Sequence, residues 1–206
     1  MGADAADGDE VVLGLGAEPS GLRTAEVRRV DVAAATPDDA LALAELAART
    51  FPLACPPGTD PAAVARHVAE ELAPERFAAW ARDRDRVLLL ARREGAAGPA
   101  GYVLLVADPA PPAPVAGPAV LLSKAYVAAD EQGSGLARVL VVAALGAARE
   151  RFGARPVWLG TNRQNARAQA FYRRLGFEQV GSRTFVVGGQ EHDDVVLLLA
   201  DGAPAG

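Results

Sequence analysis

The sequence is poor in cysteine, in long apolar stretches and in basic residues. Its single cysteine, Cys55, excludes an internal disulfide and a zinc site built on thiolates, and we interpret it as a buried apolar side chain rather than a nucleophile. The longest apolar run, Val139 to Ala148, is well short of the roughly 20 residues that cross a bilayer. The 21 Lys and Arg residues are outnumbered by 26 Asp and Glu, for a net charge of -5. We therefore expect a protein that contacts neither membranes nor nucleic acid.

The two ends of the chain differ in composition from its middle. The segment from Met1 to Gly21 is acidic and rich in alanine and glycine, so it lacks the basic start and apolar core of a secretory signal. Together with the lone cysteine, this favours a cytoplasmic location. Residues 1–25 and 201–206 are predicted to be disordered tails around one domain at 26–200.

Between these tails, strand-like and helix-like patterns are mixed. Strands are predicted at 26–32, 86–91, 101–106, 120–127, 156–161, 178–187 and 195–199. Helices are predicted from Thr36 to about Thr50, from Thr59, from Pro74, at 135–152 and at 164–175. The proline-dense stretch 108–118 is interpreted as a surface loop. An early hairpin and a later strand, helix and strand unit indicate an α/β (α+β) fold in which helices cover a mixed sheet.

A glycine-rich turn joins the strand at 120–127 to the helix that follows it. Gly133 and Gly135 leave room for a ligand to approach the backbone, and the helix start aims free amides and a positive dipole end at one point. An anion suits this position, although a tight turn that binds nothing is the open alternative. A dinucleotide fingerprint is excluded because Arg138 stands where its third glycine belongs, and no Lys-Ser or Lys-Thr pair follows to make a P-loop.

A second segment carries polar and aromatic residues at helical spacing. Asn165, Ala168 and Tyr172 fall on one helix face, and Phe171 and Leu175 on a neighbouring face that is better suited to the core. Gly176 stands where the helix needs a left-handed C-cap.

Both segments resemble the GNAT superfamily of N-acetyltransferases. Gln132, Gly135 and Ala137 match its (Gln/Arg)-x-x-Gly-x-(Gly/Ala) signature, and the segment from Asn165 to Phe177 matches Asn-x-x-Ala-x-x-x-Tyr-x-x-x-Gly-Phe. The resemblance implies a mostly antiparallel, twisted sheet of about six to seven strands, with acetyl-CoA as co-substrate and no metal ion. It assigns to the coenzyme Tyr126, Val127, Gln132, Gly133, Ser134, Gly135, Leu136, Ala137, Asn165, Ala168 and Tyr172.

The resemblance also implies a mechanism. An amine attacks the thioester directly through a tetrahedral intermediate, whose oxyanion the backbone N–H of Val127 or of its neighbour would stabilise. Tyr172 would act as the general acid that protonates the departing coenzyme A sulfur. Some family members carry a glutamate on the preceding strand as general base, but 121–127 offers no carboxylate here. A water chain to an acid elsewhere, such as Glu45, Asp193 or Asp194, is consistent with the sequence.

The acceptor is the least determined part of this hypothesis. Diffuse similarity to bacterial polyamine (spermidine/spermine) N-acetyltransferases, together with the acidic charge balance, favours a small amine or a polyamine. A protein N-terminus or a lysine side chain is the second alternative. A non-catalytic module that binds acyl-CoA is the third, and the presence of Tyr172 argues against it. The sequence is compatible with a monomer or a homodimer.

Overall fold

The protein is described from a computed structural model that covers residues 29–55, 58–108, 111–187 and 190–200. The predicted tails, 1–25 and 201–206, lie outside the described residues, as do the first residues of the strand predicted at 26–32, so these remain predictions. None of the helices in the described part of the chain is both long and apolar enough to span a membrane.

The described residues form seven strands and five helices, with short 3₁₀ turns at Pro37–Asp39 and Ala129–Glu131. The strands are β1 Val30–Ala34, β2 Arg86–Arg93, β3 Pro99–Asp108, β4 Ala119–Val127, β5 Val157–Asn162, β6 Glu178–Val187 and β7 Gln190–Leu199. The helices are α1 Ala40–Ala54, α2 Pro61–Glu71, α3 Pro74–Arg82, α4 Leu136–Phe152 and α5 Ala166–Arg174.

All seven strands belong to one sheet, in the order β1-β2-β3-β4-β5-β7-β6. Every neighbouring pair is antiparallel except β4 and β5, which are parallel. This arrangement confirms the predicted mixed, mostly antiparallel sheet of six to seven strands with helices on its faces. Residues 86–91 and 101–106, predicted as a hairpin, form the inner parts of β2 and β3.

The parallel pair β4 and β5 is joined over only two residue pairs, Val120 with Val157 and Leu121 with Trp158. Both strands run on past this joint, to Val127 and Asn162, without pairing to each other. The sheet therefore opens between the carboxyl ends of two neighbouring strands, which is where ligands bind in many α/β proteins.

A bulge in β4 sets which side chains face which set of helices. Leu104 is paired with Lys124 but Leu105 with Leu122, so Ser123 is the extra residue. Beyond it, Ala125 and Val127 join the large core under α4 and α5. Tyr126 joins the second core under α1 and α3, and Lys124 lies over the Trp80 ring of α3. Lys124 and Tyr126 therefore lie on the sheet face opposite Ala125.

Two predicted boundaries were wrong. Helix α1 does not end at Thr50 but continues through Pro52 to Ala54, because its buried face, which includes Leu43 and Leu46, holds the helix on the sheet. A proline in the last turn removes only one helical hydrogen bond. Strand β7 begins at Gln190 rather than at residue 195, since β6 provides a full set of backbone partners for a segment whose side chains are polar.

Candidate active site

A cleft of about 380 Å³ lies between the start of α4 and the exposed side of α5. Its wall combines backbone from the loop that follows β4 with side chains of both helices. The lining residues are Val127, Glu131, Gly133, Gly135, Ala137, Arg138, Arg167, Phe171, Arg174 and Leu175.

The loop between β4 and α4 has the backbone shape of an anion cradle. Gly133 and Gly135 both have a φ of 85°, a left-handed conformation that side chains other than glycine rarely adopt. A Cβ built at either position meets no atom within 4 Å, so the space beside the backbone is open. The glycines are thus required by the turn, and they also leave room for a ligand.

The first turn of α4 presents amides to this space. The Leu136 N–H donates to Ser134 Oγ at 3.2 Å. Among the described residues, the amides of Gly133, Gly135, Ala137 and Arg138 have no acceptor. Unsatisfied amides at a helix start carry the positive end of the helix dipole and bind anions such as phosphates.

An ion pair fixes the loop to the sheet. The Arg93 guanidinium on β2 donates from Nε to Glu131 Oε1 at 2.8 Å and from Nη2 to Oε2 at 2.6 Å. The hydrogen bonds that Arg93 donates to Glu131 raise the pKa of the Arg93 guanidinium. Because this pairing neutralises the Glu131 carboxylate, an anion in the cleft does not meet a bare negative charge there.

The β4 wall offers a backbone donor to the opening between β4 and β5. The Ala128 N–H donates to the Ala100 carbonyl of β3 at 2.8 Å. Successive amides of a strand point to opposite sides, so the Val127 N–H points away from β3 and into the opening.

Helix α5 is fixed at both ends. Asn165 Oδ1 accepts from the Ala168 N–H at 2.9 Å and caps the helix start. At the other end, Gly176 has a φ of 91°, and the Phe177 N–H donates to the Tyr172 carbonyl at 3.1 Å. With the Gly176 N–H, which donates to the Arg173 carbonyl at 3.0 Å, this bond forms a Schellman motif, so the left-handed C-cap predicted at Gly176 is confirmed.

Tyr172 lies just behind the cleft wall, fully buried. Its ring makes edge contacts with Phe171, which lines the cleft, and with Phe177, at centroid distances of 5.2 and 5.5 Å. Burial raises the pKa of its hydroxyl, which therefore stays protonated at neutral pH. The hydroxyl has no hydrogen-bond partner among the described residues. It is a buried donor without an acceptor.

The family model described as "Acetyltransferase (GNAT) family" matches residues 42–177. The chain belongs to the GNAT acetyltransferase family. It is 40% identical over 160 residues to uncharacterised N-acetyltransferases of Mycobacterium bovis and Mycobacterium tuberculosis, covering 78% of this chain and 96% of each relative. As a GNAT member, it is an acetyl-CoA-dependent acyltransferase.

Solved GNAT structures share the fold at low identity. One is the PaiA N-acetyltransferase from Thermoplasma acidophilum in complex with coenzyme A, with a TM-score of 0.66 and 14% identity over 84% of this chain and 99% of that chain. Arabidopsis thaliana NAA60 with a bisubstrate analogue has a TM-score of 0.64 and 16% identity, over 84% and 98%. The ribosomal-protein-S18-alanine N-acetyltransferase from Escherichia coli has a TM-score of 0.60 and 19% identity, over 86% and 97%.

The structure of this GNAT chain brings some of the predicted coenzyme residues together and places others behind the wall. Of the predicted set, Val127, Gly133, Gly135 and Ala137 line the cleft. Fully or nearly fully buried are Tyr126, Leu136, Ala168 and Tyr172. The others, Gln132, Ser134 and Asn165, are half-buried or exposed in the loop and at the start of α5. Phe171 and Leu175, expected to face only the core, also form part of the cleft wall.

Sequence reasoning missed three arginines in the cleft: Arg138, Arg167 and Arg174. Arg167 and Arg174 are spaced i and i+7, so they share a helix face. That spacing, next to a phosphate motif, was the signal that could have found them.

The three acids considered as bases lie in different surroundings. Glu45 is exposed on α1, and Asp193 is exposed and accepts from Thr184 Oγ1 at 3.0 Å. Asp194 is fully buried on β7, with Arg183 Nη2 at 3.3 Å from Oδ2, while Oδ1 has no partner among the described residues. Burial raises the pKa of Asp194 to about 6, against the opposing effect of Arg183.

The Asp194 carboxylate extends over β5. A Cβ built on Gly160 of β5 would lie 2.6 Å from Asp194 Oδ2, so only glycine leaves room for the carboxylate there. Strand β5 is one wall of the opening beside β4. Asp194 therefore lies next to that opening, on the sheet face opposite Val195, whose side chain joins the core under α4 and α5.

Aromatic side chains cover the β4 wall on the α1 side. Phe51 of α1 stacks on His67 of α2 at 4.4 Å between ring centroids and lies 6.5 Å from the Tyr126 ring. Tyr126 in turn stacks on Tyr102 at 5.4 Å. Among the described residues, aromatic rings therefore border this half of the opening.

Proposed function

We propose that the chain transfers the acetyl group of acetyl-CoA to a primary amine, and that a small amine or polyamine is the first candidate acceptor. The observation that carries this proposal is the position of the cleft. It extends from the helix start, with its free amides, to Val127 at the end of β4, where that strand borders the opening to β5. A thioester would lie beside Val127.

In this arrangement the free amides of the loop and of the first turn of α4 hold the diphosphate of coenzyme A. The left-handed glycines Gly133 and Gly135 allow the diphosphate to approach the backbone. The amide arm of the coenzyme would accept from the Val127 N–H, in place of a neighbouring strand. The oxyanion that forms when the amine attacks the thioester would then accept from a neighbouring N–H of β4, since the arm occupies that of Val127.

Tyr172 is the proposed general acid. The hydroxyl stays protonated and has no partner among the described residues, so it can donate to the sulfur as the carbon–sulfur bond breaks. Because burial disfavours a tyrosinate, Tyr172 would take back the proton that the attacking nitrogen releases as the amide forms. Its burial also excludes water from that proton transfer. The sulfur would provide the acceptor that the hydroxyl lacks.

Asp194 is the proposed proton acceptor for the attacking ammonium. Of the three acids considered, it is the one whose carboxylate lies over β5 beside the opening. Its pKa of about 6 is closer to that of an efficient base near neutral pH than the pKa of an ordinary carboxylate. A water chain would carry the proton, because the carboxylate is fully buried.

The nature of the acceptor is supported by surface chemistry. Aromatic faces such as that of Phe51 attract ammonium groups, and the net charge of -5 would attract a cation over longer distances. A protein N-terminus is the second candidate. This candidate is favoured by the similar fold of the Escherichia coli enzyme, which is named a ribosomal-protein-S18-alanine N-acetyltransferase.

The experiment is an acetyl-CoA thiol-release assay with the purified chain. The panel contains polyamines, small monoamines, aminoglycosides, amino acids and peptides with free N-termini. We expect release with small amines or polyamines, and loss of release in Tyr172→Phe with coenzyme A binding retained.

Outcomes of this panel separate the candidates. Release with peptides alone would select the protein N-terminus and reject the small-amine acceptor. An absence of coenzyme A binding by calorimetry would contradict the proposed site itself. Full activity of Tyr172→Phe would remove the general-acid role while leaving the acetyl transfer intact.

A further inference from the structure

We propose that Arg138, Arg167 and Arg174, here called the arginine clamp, bind the 3′-phosphate on the ribose of coenzyme A. The chain would then select coenzyme A over its 3′-dephospho form. This inference rests on the proposed coenzyme site and names the part of the ligand that the helix start does not take.

The cleft is more positively charged than the chain as a whole. The whole chain has a net charge of -5, yet the charged groups that line the cleft in the described part of the chain are three arginines and Glu131. Glu131 is already neutralised by its two hydrogen bonds from Arg93. Within the described ranges, none of the three arginines has an ion-pair partner. A guanidinium stays charged at any pH of interest, so the cleft holds three uncompensated positive charges.

The three arginines lie on two different helices. Arg138 lies in the first turn of α4, whereas Arg167 and Arg174 lie in the first and last turns of α5. The charges therefore come from opposite walls of the same cleft. Seven residues of helix separate the two arginines of α5 by about 10 Å along the axis, on one face. Guanidinium groups from both helices could therefore contact a ligand that lies between them.

The helix start and the arginines suit different phosphate groups of the coenzyme. The free amides at the start of α4 suit the diphosphate, whose charge is spread over two phosphates. A phosphomonoester is a more concentrated anion, with about −1.5 to −2 charges at pH 7. Planar guanidinium groups bind such a group with paired hydrogen bonds. Three cations in addition to the helix start are more than a diphosphate alone requires.

A neighbouring residue provides the matched control. Arg173 is on the same helix, is exposed, and is not in the cleft wall. Its Nε donates to the Gln169 carbonyl at 3.2 Å, on a different side of α5. Arg173→Gln therefore removes the same charge from the same helix without touching the clamp.

The test measures dissociation constants of coenzyme A and 3′-dephospho-coenzyme A by calorimetry at fixed salt. The proteins are the full chain, Arg167→Gln, Arg174→Gln, the double variant and Arg173→Gln. We expect the unaltered chain to bind coenzyme A at least about tenfold more tightly than the dephospho form, as for hydrogen bonds to a charged group. The double variant should bring this ratio close to one by weakening coenzyme A binding alone, and Arg173→Gln should leave it unchanged.

Other results overturn the proposal. Equal binding of both ligands by the unaltered chain would show that the 3′-phosphate is not recognised. Equal weakening of both ligands in the clamp variants would assign the arginines to the diphosphate instead. Binding of neither ligand would contradict the proposed function as well, and so is distinct from the first two results. The two altered positions are exposed or half-buried, and circular dichroism checks that the variants are folded.

Discussion

Replacing Tyr172 by phenylalanine should make the coenzyme-free protein more stable and the enzyme slower. The hydroxyl is fully buried and has no acceptor among the described residues. A buried hydroxyl without a partner costs about 1 to 3 kcal/mol in mutational data. The void that one oxygen atom leaves costs only a few tenths of a kcal/mol or so. The net gain in unfolding free energy is therefore about 1 to 2.5 kcal/mol.

Urea unfolding without coenzyme measures this gain as a higher midpoint at an unchanged slope. In a thermal scan, each kcal/mol corresponds to about 2 to 4 °C for a domain of this size. The turnover number with the acceptor found in the panel should fall by roughly 10²- to 10⁴-fold, the usual contribution of a general acid.

Tyr102→Phe is the matched control, because Tyr102 is equally buried and its hydroxyl also lacks a partner among the described residues. It lies in the core under α1 and α3, so this variant should gain similar stability and keep its turnover. A Tyr172→Phe protein less stable than the unaltered chain would refute the reasoning, since the hydroxyl would then have a partner. An equal loss of turnover in both variants would refute the assigned role.

Three further predictions concern the backbone and the buried acid. Gly135→Ala places a side chain at a φ of 85°, which should lower the unfolding free energy by about 1 to 2 kcal/mol and weaken coenzyme A binding, measured by calorimetry. Its control, Gly146→Ala inside α4, should bind coenzyme A normally and be slightly more stable. Gly101→Ala brings a Cβ to 2.9 Å from the Tyr126 carbonyl oxygen, and should lower the unfolding free energy by about 1 to 3 kcal/mol, measured by urea unfolding. The raised pKa of Asp194 means that the folded chain holds that proton more tightly than the unfolded chain, so stability falls as pH rises from about 4 to 6. The unfolding free energy of the unaltered chain minus that of Asp194→Asn should decrease by about 2 kcal/mol across this window, and a flat difference would contradict the raised pKa.

The sheet and the phosphate-binding loop could be predicted from local signals. Apolar runs between turn residues marked β2, β3 and β5, and the glycines at 133 and 135 marked the turn before α4. These features depend on residues close together in the chain. The turn of β4 into α4 needs positive φ, and glycine is the residue that provides it.

Other features depend on residues far apart in the chain. The length of β7 is set by its partner β6, and its polar residues at 191–194 carried no strand signal. The bulge at Ser123 arises in the pairing of β4 with β3 and leaves no mark in the sequence of β4 alone. The surroundings of Asp194 depend on Arg183 and on the missing side chain of Gly160 across the sheet. A pattern within one segment cannot report such contacts.

The short joint between β4 and β5 has a consequence for how the protein behaves in a crowded solution. Past Leu121 and Trp158, the borders of β4 and β5 that face each other carry backbone N–H and C=O groups that pair with no neighbouring strand. Such borders on the outside of a sheet invite other chains to add on, and so promote aggregation. Here the residues along them, 123–127 and 159–161, are all buried within the molecule. The chain can thus keep unpaired strand backbone ready for a ligand while concealing it from other proteins.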